Sequence, residues 1–413
     1  MQLSFNYPYS IEEYKRLLLV ENYHKHTSFS NTSTPDSPVI MDDYVKREQE
    51  LGAKCLFGGE HGNQGNFAEN YFLAKKNNLK YVHSAEAYWV KNRHEKDRTN
   101  CHICIIALNN SARQELNYIL SIANEDGYYG KPRIDLELIL SLNPEDFIIT
   151  SACLQGWKYD DADEIWLKIA NHFGTNFFLE VQNHNTEKQK ELNRHILSLA
   201  KEYDLQIICG LDSHYISVEK DEERRNEYLK YKKMNYPEED GWYLDYPDGK
   251  TIYKRFKEQG VLSDEEILYS MMNTQVFNVK CEEIVIDNTF KIPILYKDKT
   301  FDERVQILKS HLNKAYKKEK LKSKEKIEGI KWETEQIVDS KVMDYFLTNE
   351  AIISDAINNE GGILTTTSRG SSASFIINKL LGFTTLDRFN SEIPIYPERF
   401  LTKERISAGQ MPD

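Results

Sequence analysis

Gln206-Ile207-Ile208-Cys209-Gly210-Leu211-Asp212-Ser213-His214 reads as a short buried strand that ends in a carboxylate and an imidazole. The same pairing of apolar run and metal-ligand side chain recurs through the first half of the chain. Val20-Glu21-Asn22-Tyr23 leads to His24-Lys25-His26, and Cys55-Leu56-Phe57-Gly58-Gly59 leads to Glu60-His61. Tyr81-Val82-His83-Ser84-Ala85 leads to Glu86, and Phe147-Ile148-Ile149-Thr150-Ser151 leads to Cys153. Helix-like segments, Ile40–Leu51, Asn66–Asn77, Asn110–Asn124 and Thr186–Tyr203, lie between such runs. This alternation over 19–215 predicts parallel strands joined by crossover helices. Polar residues gathered at strand ends are how an α/β barrel builds one site from distant pieces.

Around this core the chain changes character. Glu222–Met234 reads as a charged helix, 236–249 is rich in turns and aromatics, and Ser263-Asp264-Glu265-Glu266 reads as a helix start with an acidic first turn. A link near Lys291-Ile292-Pro293-Ile294 precedes long helices expected over Phe301–Glu328 and Trp332–Asn358. The expected domains are 1–285 and 286–413, a division that suits 413 residues. Residues 291–331 hold thirteen Lys or Arg against six Asp or Glu, inside a chain of net charge -12. A solvated helix face is the plainer reading of that run; contact with phosphates is the other. No apolar run approaches the ~20 residues of a membrane helix. The start, Met1 to Tyr7, lacks the basic-then-apolar pattern of a secretory signal. Six cysteines, Cys55, Cys101, Cys104, Cys153, Cys209 and Cys281, sit mostly in apolar surroundings and read as reduced thiols. These readings expect a cytoplasmic protein (the host cytoplasm, if the Lys-, Asn- and Ile-rich composition marks a phage).

His24 and His26 on one strand face the same way, and two such imidazoles can hold one ion at ~2.1 Å. Glu86 and Asp212 are the carboxylates suited to bridge two ions, with Glu60, His61, His102 and His214 completing the shells and Cys153 as a soft ligand. Any one of these alone is more often a packed core residue; the constellation is the signal. The donor types suit zinc or manganese, and the chemistry expected is phosphoester hydrolysis, with His24, His26, Glu86, Asp212 and His214 as its catalytic residues. Cys101-His102-Ile103-Cys104 has C-x-x-C spacing, but it continues as the apolar Ile105-Ile106-Ala107-Leu108. The expectation is that both thiols pack and only His102 faces the site.

These residues resemble the polymerase-and-histidinol-phosphatase (PHP) domain. The matching motifs are His24/His26, Glu60-His61-Gly62 for Asp-His-Gly, Glu86-Ala87-Tyr88, Ser151 to Gly156 for Ser-Ala-Cys-Leu-x-Gly, and Asp212 to Tyr215 for Asp-x-His-Tyr. The resemblance implies a distorted (βα)7 barrel with a trinuclear centre, holding two to three divalent metals (zinc, manganese or iron). The family also places an Asp soon after the second His. Here Asp36 lies further along, as a ligand if its loop folds back, or as a turn residue after Pro35.

The second part is similar to the start of the palm of bacterial C-family replicative polymerases, a mostly helical α+β region. Ser368-Arg369-Gly370-Ser371 stands for Gly-Arg-Gly-Ser, and Glu398-Arg399-Phe400-Leu401 through Arg405 and Met411-Pro412-Asp413 follow in the family's order. The resemblance implies nucleotide binding by Ser368, Arg369, Gly370, Ser371, Arg399 and Arg405. Backbone amides at the helix start and a two-point arginine would grip a triphosphate. Ser or Thr replaces several loop glycines, at Thr366, Ser368, Ser372 and Ser374, so the loop is expected to take another shape or to bind nucleotide weakly. The family's catalytic Asp-x-Asp lies beyond Met-Pro-Asp, so this chain alone is expected not to extend DNA. It reads as a truncated or split polymerase with a C-terminal half elsewhere. Implied partners are DNA primer-template, deoxynucleoside triphosphates with magnesium, and replisome subunits, with no membrane. The functions in competition are a polymerase piece with 3′–5′ exonuclease activity, a metal-stabilised scaffold for a proofreading subunit, and a stand-alone phosphatase.

Overall fold

A computed structural model describes residues 7, 10–31, 35–289, 291–320, 322–366 and 370–411. The chain divides into two compact units, Met1–Ile286 and Asp287–Asp413. Among the described residues the first holds eight strands: β1 (Cys55–Phe57), β2 (Lys80–Val82), β3 (Ser84–Val90), β4 (Cys101–Ala107), β5 (Arg133–Asp135), β6 (Phe147–Thr150), β7 (Phe177–Val181) and β8 (Gln206–Cys209). Six of them form one sheet in the order β5-β3-β4-β6-β7-β8, and β1 pairs with β2. Isolated bridges join the pieces. His61, beyond β1, pairs parallel with Glu86 of β3, and Lys25 pairs parallel with Ser213, beyond β8. A Cβ added to Gly59 would lie 2.7 Å from the Lys25 carbonyl, so the His24–His26 segment also runs beside the end of β1. With β2 and β3 as one strand broken at His83, seven strand positions close into a distorted barrel.

The expectation of parallel strands holds for β1/β2, β3/β5, β6/β7 and β7/β8. It fails at β4, which runs antiparallel to both β3 and β6. The reason lies in the connection: 91–100 contains no helix, and a short loop returns the chain as a hairpin where a parallel step needs a long crossover.

Period-two alternation sorts the strand residues into two layers. Phe57, Val82, Cys104, Ile106, Ile148, Phe178 and Ile208 point into the barrel, where Val276 and Phe277 join them. Leu56, Ala85, Ala87, Ile103, Ile105, Phe147, Ile149, Phe177, Leu179 and Ile207 point outward into the larger core shared with the helices. Those helices start on caps readable in the sequence. Asn109 accepts from the Ala112 amide, Thr186 from Gln189, and Ser263 forms a capping box with Glu266.

The second unit has its own core of Val305, Leu308, Leu312, Ile337, Met343, Phe346, Phe375, Ile377, Phe400 and Leu401. Its long helices are Phe301–Glu319, Lys324–Asp339 and Met343–Asn359, three where two were expected. The first stops because Lys320 turns left-handed, and Ser323 caps the next by accepting from the Lys326 amide. Lys341 is also left-handed, ahead of the third. Among the described residues no helix is long and apolar enough to cross a membrane.

Candidate metal centre

The barrel end where β3, β7 and β8 finish and β4 begins collects the ligand-type side chains. His24 and His26 project together, and Lys25 between them goes the other way. Lys25 is fully buried, with its Nζ 2.8 Å from Glu48 Oε1, while the Tyr246 hydroxyl donates to Glu48 Oε2 at 2.6 Å. That buried pair pins the segment from behind. Ser30 Oγ, 3.0 Å from His26 Nδ1, turns the ring so that Nε2 points inward. Asp212 and Ala152, with φ of 49° and 54°, are non-glycine residues held left-handed at strand ends. Such strain is kept where the surroundings enforce it, here beside Cys153 and His214.

Glu86 is the hub. It lies 3.0 Å from His24 Nε2, 3.3 Å from His26 Nε2, 2.6 Å from His61 Nδ1 and 2.8 Å from His102 Nδ1. Asp212 Oδ1 is 3.3 Å from His24 and 3.1 Å from His26. The loop carrying Asp36 folds back, so that Asp36 meets His61 at 3.2 Å and His214 at 2.9 Å. Cys153 Sγ stands 3.7 Å from His102 Nδ1. Four overlapping triads have ligand atoms within 4.8 Å of one another: His26/His61/His214, His24/Cys104/Glu180, His24/His26/Asp212 and His61/Glu86/His102. A cleft of about 240 Å³ opens onto the group.

Burial opposes every charge here; it prevails at His102, whose imidazole it holds below the ordinary value despite Glu86, and is overcome by the facing groups at the three carboxyls, His24 and His26. It is outweighed at Asp36 by His214 and His61, at Glu86 by His102, His24 and His61, and at Asp212 by His24, His26 and His214. These carboxyls are held well below the usual carboxylate range. Against the same burial, Cys104, Glu180, Asp212 and Glu86 hold His24 well above the ordinary imidazole value, and bonds to Asp212 and Glu86 raise His26 to about 10. Burial, then Asp212 and Glu86, pushes the Cys153 thiol up. Buried carboxylates in this number need positive charge, from protons on the imidazoles or from cations. One observation speaks for cations. Asp36 Oδ2, Glu86 Oε2 and His61 Nδ1 are buried without a hydrogen-bond partner among the described residues, although His61 Nδ1 and Glu86 Oε2 approach to 2.6 Å. Atoms that face one another without a directed hydrogen bond fit lone pairs sharing a metal ion. The donor set of imidazole, carboxylate and thiol fits such ions as well.

Three expectations change. Glu60 stands outside the triads, as do Asp36 and Cys153; what sets Glu60 apart is its hydrogen bonding. Its oxygens already accept from the Thr27 amide and hydroxyl, Ser30 Oγ and Asn66 Nδ2, so it anchors the loop after His26. Cys104 shares the inner face with His102, two residues away, and joins a triad with His24, whereas Cys101 packs outside. Glu180 is a site residue that the sequence reading did not include. It lies 2.8 Å from His24 Nδ1 and accepts from the Tyr23 hydroxyl at 2.7 Å. Its signal was a lone carboxylate inside Phe177-Phe178-Leu179-Glu180-Val181, a run buried at every position.

In the second unit, Ser368 and Arg369 lie outside the described residues, as do Pro412 and Asp413. Gly370 has φ of 85°, and Ser371 opens a short turn, Ser371–Ser374, that lies beside Pro397–Arg399. Thr366, Ser372 and Ser374 are not left-handed; the left-handed step falls on Gly370, where glycine takes it freely. Arg399 and Arg405 are exposed. The helix start does not wait for phosphate: the amides of Ile376 and Ile377 donate to Glu333 at 3.1 and 2.9 Å.

Both parts of the chain are similar to known proteins. A family model for the PHP domain matches residues 22–184, and one for the bacterial DNA polymerase III alpha NTPase domain matches residues 303–413. DNA polymerase III subunit alpha of Aquifex aeolicus is 28% identical over 94% of this chain and 35% of that one. The Helicobacter pylori subunit (strain ATCC 700392 / 26695) is 26% identical over 94% of this chain and 34% of its own length. The Thermus aquaticus subunit is 30% identical over 50% of this chain and 18% of that one. The chain thus spans about a third of the length of the curated relatives it matches along nearly its whole length. Among solved structures, an amidohydrolase from Chromobacterium violaceum covers 47% of this chain and 87% of its own at 14% identity, with a TM-score of 0.34. Motifs and matches together show a PHP domain at residues 22–184 and a DNA polymerase III alpha segment at residues 303–413, and the chain is similar to the N-terminal portion of that subunit.

Proposed function

We propose that residues 1–285 bind two or three divalent cations (zinc, manganese or iron) and hydrolyse phosphodiesters at the 3′ end of DNA. The ligands are His24, His26, Asp36, His61, Glu86, His102, Cys153, Asp212 and His214. The observation that carries this reading is the convergence of ligand atoms from separate chain segments, with Asp36 Oδ2, Glu86 Oε2 and His61 Nδ1 buried and facing other ligand atoms without a directed hydrogen bond among the described residues. Bound cations would polarise a phosphoryl oxygen and lower the pKa of a water molecule. Glu86, within reach of four imidazoles, is the carboxylate suited to be shared between ions. Asp212 supports His24 and His26 in the same way, and Glu180 orients His24 from behind.

In this reading 286–413 belongs to the palm of a replicative polymerase in the cytoplasm. Ser368, Arg369, Gly370, Ser371, Arg399 and Arg405 contact a deoxynucleoside triphosphate. Primer-template, magnesium, replisome subunits and a C-terminal half carrying the Asp-x-Asp complete the reaction.

Elemental mass spectrometry of the purified chain is the first test. Two or three equivalents of metal, lost together with shortening of a mismatched 5′-labelled primer in a folded His24→Ala variant, are expected. No metal after metal-replete purification, or hydrolysis indifferent to His24→Ala, rejects the reading and leaves the barrel as a scaffold. Turnover of small phosphomonoesters without primer shortening would favour a phosphatase.

A further inference from the structure

We propose that the mouth of the metal centre carries a phosphate grip, made of Arg98, Lys131 and Lys158, for the backbone of a single-stranded polynucleotide. The proposal rests on the hydrolytic reading above and names how its substrate is chosen. Three separate loops deliver these cations to one cleft: Arg98 follows β3, Lys131 precedes β5, and Lys158 follows Cys153. Arg98 and Lys158 are exposed and form no ion pair among the described residues. The Arg98 guanidinium lies over the Tyr129 ring at 4.9 Å, and Lys158 Nζ donates to the Thr99 carbonyl at 3.1 Å. Lys131 is half-buried, donates to the Tyr88 hydroxyl at 3.1 Å and sits 4.9 Å from that ring's centre.

The carboxylates that share the cleft are already engaged. Asp36 meets His61, His214 and Arg225; Asp212 meets His24 and His26; Glu239 meets Arg225. Arg98 and Lys158 therefore stay available to an anion at the mouth, with Lys131 lining the same cleft, in a chain of net charge -12. A phosphate next to the one being cut matches them. Trp242 also lines the cleft. Its ring lies flat on His184, with centroids 5.0 Å apart and 11° between planes, while His184 Nδ1 accepts from the Tyr243 amide at 3.0 Å. A ring fixed in this way is a platform for a base. At about 240 Å³ the cleft is smaller than the roughly 300–1,000 Å³ of pockets for drug-sized ligands, which suits one strand end at a time. A small phosphoester needs only the metal centre, whereas a polynucleotide gains from both.

The test uses the full 413-residue chain and the double variant Arg98→Ala/Lys158→Ala, whose side chains are exposed. Anisotropy of a 5′-fluorescein oligo-dT strand is measured across a salt series. The expected result is a Kd at least ten-fold higher, with a log–log salt slope shallower by about 1.4, or ~0.7 per lost phosphate contact. In parallel, kcat/KM of the metal-loaded protein falls at least ten-fold more on the strand than on bis(p-nitrophenyl) phosphate. Unchanged Kd and slope overturn the grip, even where the wild type cleaves the strand. Equal losses on both substrates put the cations on the scissile phosphate and also overturn it. Weakened binding in a protein that hydrolyses neither substrate keeps the grip and overturns the hydrolytic reading.

Discussion

Gly210 has no side chain because Glu180 fills the space where one would go: an added Cβ would fall 2.1 Å from Glu180 Oε1. Gly210→Ala therefore pushes Glu180 off His24. The expected cost is about 1–3 kcal/mol, as for other overpacked sites, with a reduced metal content. Thermal unfolding and elemental analysis of the variant check both, and a protein with unchanged stability and metal would remove Glu180 from the account. The histidines carry a second prediction at this scale. His24, His26 and His61 are raised in the folded, metal-free protein, above an unfolded value of about 6.5. Their contribution is complete below that value and is lost as pH rises through the folded value, about 10 for His26. Asp36, Glu86 and Asp212 are depressed, so theirs is present above about 4 and is lost in acid. With a chelator present, the Tm should fall between about pH 6 and 10. With metal bound the imidazoles are already neutral, and that fall should vanish. A chelated protein with a flat alkaline profile would contradict the pairing described here.

Among elements, β4 and the helix Ile376–Leu380 differ most from expectation. The other ligand clusters predicted from the sequence follow their apolar runs, but His102 comes ahead of its own, which continues from Ile103 to Leu108. Only a reversed strand brings such a residue to the same barrel end, so the reversal is already written in the order of residues. Glu333 plays a comparable part in the second unit. It is fully buried, receives two amides of that helix, and pairs with Arg388 at 3.0 Å. Glu333→Ala leaves two donors and a cation without their acceptor. A loss of about 3–5 kcal/mol, the cost of breaking a buried pair, is expected in denaturant unfolding followed by a probe in residues 287–413. A loss below about 1 kcal/mol would mean that water replaces the carboxylate and the cap is dispensable.

At the scale of the whole molecule, two units with separate cores predict two calorimetric transitions, of which one shifts upward with zinc or manganese and falls with chelator. A single transition moving as one would show that the units unfold together. Much of the first unit was legible beforehand, because burial leaves a period-two pattern along a strand and metal chemistry admits few side chains. The sequence alone therefore determined the kinds of donor, the strand runs that carry most of them and the resemblance to PHP and polymerase segments. It could not decide which donors meet. Glu60 and Asp36 are both acidic neighbours of histidines in the chain; four hydrogen bonds hold Glu60 in place, while a loop closure delivers Asp36 to His61 and His214. Glu180 and Cys104 became visible only when β7 and β4 lined the same interior as His24. Tertiary structure decided these points because coordination depends on distances between segments far apart in sequence, and the barrel closure that sets those distances is a property of the packed chain.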